Sequence, residues 1–217
     1  MTIVPFRTDA EVAAALDPVA AHLRSGRLLA YPTETVYGLG SRPGTAEVQA
    51  LAQLKGRAAE KPFLLLIAGY EMAEAQGLAF NESARALARA FWPGPLTIVL
   101  PGGGGRLPDL LRGPEGGIAV RWTSHQHIAR LVAHLGEPLT STSANRPGQL
   151  PAAGADAIVR DFAAPVESGD LLVLDGGVLG NRPPSTVVDC TGPQPRIVRP
   201  GAVSVTELRR AVGILAP

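Results

Sequence analysis

Short apolar runs alternate with helix-period segments over the first two thirds of the chain, and near its end such runs follow one another without intervening helices. Strand character is expected at Arg27 to Pro32, Phe63 to Ala68, Leu96 to Leu100, Ile118 to Trp122 and Pro138 to Ser143. Helices are expected between them. Thr8 and Glu11 form a capping box for a stretch reaching about Ser25, with Pro18 as an interruption, and Ala46 to Lys55 ends at Gly56. Asn81 caps Glu82 to Phe91, Ser124 opens a helix to Leu135, and Asp156 to Phe162 makes a short one. Strands near Leu171 to Leu174, Ser185 to Asp189 and Arg196 to Arg199 then precede a last helix, capped by Ser204 with Glu207 and running to Val212. A purely parallel sheet needs a crossover between every strand pair, so consecutive strands demand antiparallel pairs. The expected class is α/β, with a mixed parallel/antiparallel sheet flanked by helices.

No internal repeat or linker divides the 217 residues, of which 46% are hydrophobic, so one domain over 1–217 is expected. A formal net charge of +1 excludes a uniformly basic nucleic-acid coat and confines any anion site to a local cluster. Cys190 is the single cysteine, which rules out an intramolecular disulfide and a cysteine-clustered metal site and makes core packing its expected role. No run approaches the roughly 18 apolar residues of a membrane span, and Met1 to Phe6 lacks a signal-peptide pattern. A soluble, cytoplasmic protein is expected. Only two of its twenty basic residues are lysines, Lys55 and Lys61, six positions apart.

Several segments carry polar groups where apolar ones belong. Tyr31 to Gly40 breaks from strand character into Thr33, Glu34, Thr35, Gly38 and Gly40, either an ordinary turn or a strand end where the backbone approaches a ligand. In Leu139 to Asn145 the period of two puts Ser141, Ser143 and Asn145 on one face, lining either a ligand site or an exposed edge. Lys55-Gly56-Arg57 closes a helix, where its charges either complement the helix end or meet an anion. Arg121 lies inside Ile118-Ala119-Val120-Arg121-Trp122 and must reach an anion or the surface, and Arg199 repeats the pattern after Ile197-Val198. Gly102 to Gly105 lacks a P-loop's Lys-Ser or Lys-Thr and reads as a mobile loop, and no Gly-x-Ser-x-Gly elbow occurs. His22, His125, His127 and His134 lack metal-ligand spacing and read as helix-face residues, so no metal site is expected, while Trp92-Pro93-Gly94-Pro95 reads as a helix stop with aromatic packing.

In order along the chain, Pro32 to Gly40, Lys55-Gly56-Arg57, Trp92 to Thr97, Ala119-Val120-Arg121, Ser141 to Asn145, Ser185 to Asp189 and Arg199-Pro200-Gly201 resemble the YrdC-like family of L-threonylcarbamoyladenylate synthases, also called TsaC. The resemblance runs from about Arg27 to the last helix and is to the short, single-domain form. It implies a twisted mixed sheet around a concave cationic cavity. It further implies that ATP, L-threonine and bicarbonate become threonylcarbamoyl-AMP and pyrophosphate, with Mg²⁺ on the nucleotide. The product would serve modification of adenosine 37 in tRNAs reading codons that begin with A, through downstream threonylcarbamoyl-transfer proteins and tRNA. By matching position, L-threonine falls to Thr33, Arg121 and Ser185, and ATP to Lys55, Arg57, Ser141, Ser143, Asn145 and Arg199. Lys55, Arg57, Ser143 and Asn145 would carry catalysis. Leu66, Gly117 and Pro151 stand where relatives often have polar groups, and Lys61 where they often have asparagine. Two rivals are a noncatalytic tRNA- or rRNA-binding module using the same cavity, and an enzyme using carbamoyl phosphate, as related domains do within hydrogenase-maturation proteins.

Overall fold

The computed structural model describes residues 3–56, 62–180, 182–213 and 215. In chain order the elements are β1 (Ile3–Pro5), α1 (Asp9–Arg24), β2 (Leu28–Tyr31), β3 (Gly38–Gly40), α2 (Thr45–Lys55), β4 (Leu64–Ile67), α3 (Tyr70–Ala75), α4 (Glu82–Phe91) and β5 (Leu96–Leu100). There follow β6 (Ile118–Trp122), α5 (Gln126–Leu135), β7 (Leu139–Ser143), α6 (Ala155–Asp161), α7 (Ala163–Glu167), β8 (Leu171–Asp175), β9 (Thr186–Asp189), β10 (Arg196–Arg199) and α8 (Val205–Val212). Among the described residues the strands form one sheet in the order β1-β8-β2-β3-β7-β4-β6-β5-β9-β10. Parallel pairs β1·β8, β2·β8, β4·β6 and β5·β9 are interleaved with antiparallel β2·β3, β3·β7, β4·β7, β5·β6 and β9·β10, the mixture expected from consecutive strands.

Local chemistry sets many boundaries. Thr8 with Glu11 and Ser204 with Glu207 form complete capping boxes, and the Asn81 side chain accepts from the Ala84 amide. Gly56 ends α2 in the left-handed conformation, which only glycine adopts without steric cost. α1 runs unbroken through Pro18 because that ring lies on the exposed side, where the carbonyl of the exposed Ala14, deprived of its amide partner, can meet water. α5 starts one residue later than expected: His125, not Ser124, caps it by accepting from the Ile128 amide, while the Ser124 amide faces Glu34. Trp92 stops α4 as expected, donating its indole N–H to the Leu96 carbonyl at 2.7 Å and packing against Phe80 and Tyr70. The Gly102–Gly105 segment, expected as a mobile loop, is tied down: the Gly103 amide donates to the Gly77 carbonyl, and its own carbonyl accepts from Leu107.

Two cores cover the two sheet faces. Leu28, Ala30, Leu39, Leu65, Ile67, Val120 and Ile98 point into the larger one with α2, α4, α6 and α8, and Cys190 is buried there as expected. Burial pushes its thiol up to about 12, so it stays protonated. Leu29, Tyr31, Leu66 and Leu139 point the other way, into a core with α1 and α5. Among the described residues no helix is long and apolar enough to cross a membrane.

Candidate active site

Strand register decides which side chains share the second face. Gly38 lies opposite both Tyr31 and Ser143, and Ser141 lies opposite Leu64. Leu66 is level with Arg121, and the pairing of Ile98 with Val120 sets Thr97 beside Arg121. Thr97 is level with Val187, which pairs with Arg199. Directly paired residues project to the same side, so Tyr31, Ser141, Ser143, Arg121, Thr97 and Arg199 form a polar band across one face. α1 and α5 cover only part of that face. Val99, Ala119 and Val187, which also belong to it, are partly exposed, so α1 and α5 leave this half uncovered although Arg121 and Thr97 themselves are buried.

Three groups of contacts gather around the band, the first at the end of β7. Lys55, 6% exposed at the end of α2, donates to the Ser143 carbonyl at 2.8 Å, the Asn145 carbonyl at 2.5 Å and Asn145 Oδ1 at 2.9 Å. The Ser143 hydroxyl donates to the same Oδ1 at 2.6 Å, so the ammonium gathers the strand end that carries both side chains. Arg121, 4% exposed, donates through Nη2 to Glu34 Oε2 at 2.7 Å, with Thr35 Oγ1 at 3.4 Å from both terminal nitrogens. The Thr123 hydroxyl donates to the same Glu34 oxygen at 2.5 Å. Arg199 Nη2 donates to the Ser185 carbonyl at 2.8 Å and lies 3.2 Å from its hydroxyl, which is 2.9 Å from that of Thr97. Burial, and then the nearby charge of Arg121, push the Arg199 guanidinium below its usual pKa, so these cations feel one another.

The turn after β2 explains the polar break in the sequence. Thr33 Oγ1 donates to the Val36 carbonyl at 2.7 Å and accepts from the Thr35 and Val36 amides, closing a hydroxyl-bonded turn. Gly38 and Gly40 were expected to meet a ligand or a tight turn; they instead form β3, and the Tyr31 ring lies over them. A Cβ at Gly38 would stand 3.0 Å from that ring and 3.1 Å from Ser141 Oγ, and one at Gly40 would overlap the Thr140 carbonyl. The Tyr31 hydroxyl, donating to that carbonyl, is held protonated by burial.

The geometry corrects several placements. β7 ends at Ser143, so Asn145 does not continue the strand's period of two; its side chain reaches the same place through Lys55 and Ser143. Arg199 is not inside a covered apolar strand: β10 is an edge strand, and its Val198 is 53% exposed. Leu66 is fully buried between α1 and α5, and Pro151 is exposed. A Cβ at Gly117 would fall 2.6 Å from Val99 Cγ1 and closer still to Thr191 Cγ2, so Thr191 fills the space a side chain there would need. Arg57 and Lys61 lie outside the described residues. Glu34 was legible only as a polar break, and its pairing with Arg121 across 87 positions was missed; a carboxylate in a break and an arginine in an apolar strand were the available signals.

Burial alone would raise the Glu34 pKa, but the Arg121 charge and the Thr123 hydroxyl outweigh it and hold the carboxyl below its ordinary value. A depressed carboxylate stabilises the fold fully above its unfolded value of about 4.3, and this contribution is lost as pH falls through the folded value. The wild-type melting temperature should therefore drop on acidification below about pH 4.3 more steeply than that of Glu34→Gln. Parallel curves in a pH series of melting scans would remove this coupling.

A mixed α/β sheet whose partly uncovered face carries Arg121, Arg199 and intervening hydroxyls defines a protein with a polar, cation-bearing sheet face. The chain belongs to the Sua5–YciO–YrdC family, whose sequence model, described as "Telomere recombination", matches residues 21–201. Threonylcarbamoyl-AMP synthase of Thiobacillus denitrificans is 42% identical over 170 residues, covering 78% of this chain and 87% of that protein. The protein of the same name from Pyrococcus abyssi is 35% identical over 195 residues, covering 89% of this chain and 56% of its own length. The structure of P. abyssi Sua5 complexed with L-threonine matches with a TM-score of 0.85 at 32% identity, covering 100% of this chain and 63% of that one. The chain thus spans little more than half of the archaeal relative and most of the bacterial one.

Proposed function

We propose that this protein is an L-threonylcarbamoyladenylate synthase acting in the cytoplasm. The reading rests on one observation above all: Arg121 and Arg199, far apart along the chain, stand on one sheet face with hydroxyls between them, and Lys55, at the end of α2, reaches the end of β7 that carries Ser143 and Asn145. The names of the relatives agree with it.

In this reaction the neutral amine of threonine takes up bicarbonate, giving a carbamate and water. A carbamate oxygen then attacks the α-phosphorus of ATP, the bond from that phosphorus to the bridging oxygen breaks, and pyrophosphate leaves. No covalent enzyme nucleophile is needed. The protein must bring two anions together, screen their repulsion and stabilise the leaving group, which is catalysis by positioning and electrostatics. Arg121 is assigned to the threonine carboxylate, with Thr33 and Ser185 beside it. Lys55, Ser141, Ser143, Asn145 and Arg199 are assigned to the nucleotide, together with Arg57. Thr33 would act mainly by shaping the turn that holds Thr35 against Arg121, since its hydroxyl is spent on that turn. Mg²⁺ would arrive on the triphosphate, keeping phosphate and water ligands as that ion prefers. Glu34 is engaged by Arg121 and Thr123, and the neighbouring Ser141, Ser143 and Thr97 offer only neutral hydroxyls, a lining that fits an ion held chiefly by its nucleotide. The product would pass to threonylcarbamoyl-transfer proteins acting on adenosine 37 of tRNA.

Purified protein should release pyrophosphate from ATP only when threonine, bicarbonate and Mg²⁺ are present together. Turnover that ignores threonine would reject the assignment. Salt-sensitive RNA binding with no turnover would favour the noncatalytic module instead.

A further inference from the structure

We propose that Glu34 is a positioning residue for Arg121, holding the guanidinium so that its remaining donors meet an amino-acid α-carboxylate; the inference rests on the threonine assignment above. The geometry is that of a clamp with one side left free. Glu34 takes one guanidinium nitrogen, Nη2, at 2.7 Å. Nη1 has only the long 3.4 Å approach of Thr35, and Nε, fully buried, has no hydrogen-bond partner among the described residues. An arginine engaged at one nitrogen keeps a further edge for a second carboxylate, and a buried donor left unpaired is costly unless a ligand completes it.

Glu34 is itself fixed from the opposite side. Its Oε2 accepts from Thr123 Oγ1, and its Oε1 lies 3.4 Å from the Ser124 amide, so the carboxylate bridges the turn after β2 and the segment leading into α5. α5 is anchored in turn, since Ile128, Leu131 and Val132 pack in the core shared with α1. A long side chain that must present donors at a fixed angle gains from such support, because otherwise its rotamer freedom is lost only when substrate binds. Stability alone does not explain the arrangement. A buried ion pair is generally no more stabilising than apolar residues filling the same volume, yet this one is kept within the polar half of the face.

The test separates positioning from structural support by the way the kinetics divide. Glu34→Gln keeps the size and an acceptor oxygen but removes the charge that grips Nη2. Its KM for threonine should rise about tenfold, with kcat falling less than threefold and the KM for ATP near that of the wild type. Thr123→Val, which loosens Glu34 without touching Arg121, should shift the threonine KM in the same direction by about threefold. Calorimetric titration with L-threonine alone should reproduce both shifts as weaker binding. Should Glu34→Gln fail to fold, Thr123→Val and the titration carry the test. Unchanged threonine KM and affinity, with only the amount of active protein reduced, would overturn the proposal. A wild-type protein without threonine-dependent pyrophosphate release would instead defeat the functional assignment, a result visible before any variant is compared.

Discussion

Lys55→Met should lower threonine-dependent pyrophosphate release by about 10²–10³-fold, the range found when one preorganised donor to developing negative charge is removed. The size of the effect follows from two roles of one ammonium. Its charge stands at the end of α2 beside Ser143 and Asn145, and on the proposed assignment it would offset the phosphates of the nucleotide. Its N–H groups also hold both backbone carbonyls and the Asn145 amide oxygen, so the strand end that presents Ser143 depends on it. Methionine fills much of the same volume but supplies neither charge nor donors. The melting temperature of the variant should be recorded beside its kinetics, and a folded variant retaining activity within tenfold of wild type would remove Lys55 from the chemistry.

Arg121→Ala should be the most destabilising single change in the site. It leaves Glu34, whose side chain is 11% exposed, without its counter-ion, and an uncompensated buried charge of this kind costs about 3–5 kcal/mol. For a chain of this size that corresponds to a melting temperature lower by about 6–20 °C. The double variant Arg121→Met/Glu34→Gln removes both charges while filling the space, so it should recover part of the loss yet remain defective with threonine. Thermal melts of the single and double variants provide the check. A single variant melting within 2 °C of wild type would show that solvent reaches Glu34 freely.

The two variants probe different groups of contacts in one band, and their stability costs should be nearly additive. Among the described residues Arg121 and Lys55 share no hydrogen-bond partner: one bonds Glu34 and Thr35, the other Ser143 and Asn145. Additivity holds for sites without shared partners, whereas Arg121 and Glu34 should couple strongly.

Much of this molecule was legible residue by residue. β5, β6 and β10 have the bounds their apolar runs predict, and the capping boxes at Thr8 and Ser204 form as their spacing requires. These features arise from contacts within a few residues, which periodicity and capping chemistry describe directly. Short β1 and β3 escaped because three residues carry too little pattern, and β3 is Gly-Leu-Gly. The α5 cap moved by one residue because Glu34, distant in sequence, engages Thr123 and Ser124.

The sequence by itself determined the longer elements, the mixed character of the sheet and the residue types that a charged ligand would need. Only the tertiary structure decided which strands became neighbours, and hence that Arg121, Thr97 and Arg199 share a face and that Lys55 meets Asn145 across 90 positions. The physical reason is that local periodicity specifies which side of a strand a residue occupies, whereas the order and register of strands come from packing both faces of the whole sheet at once.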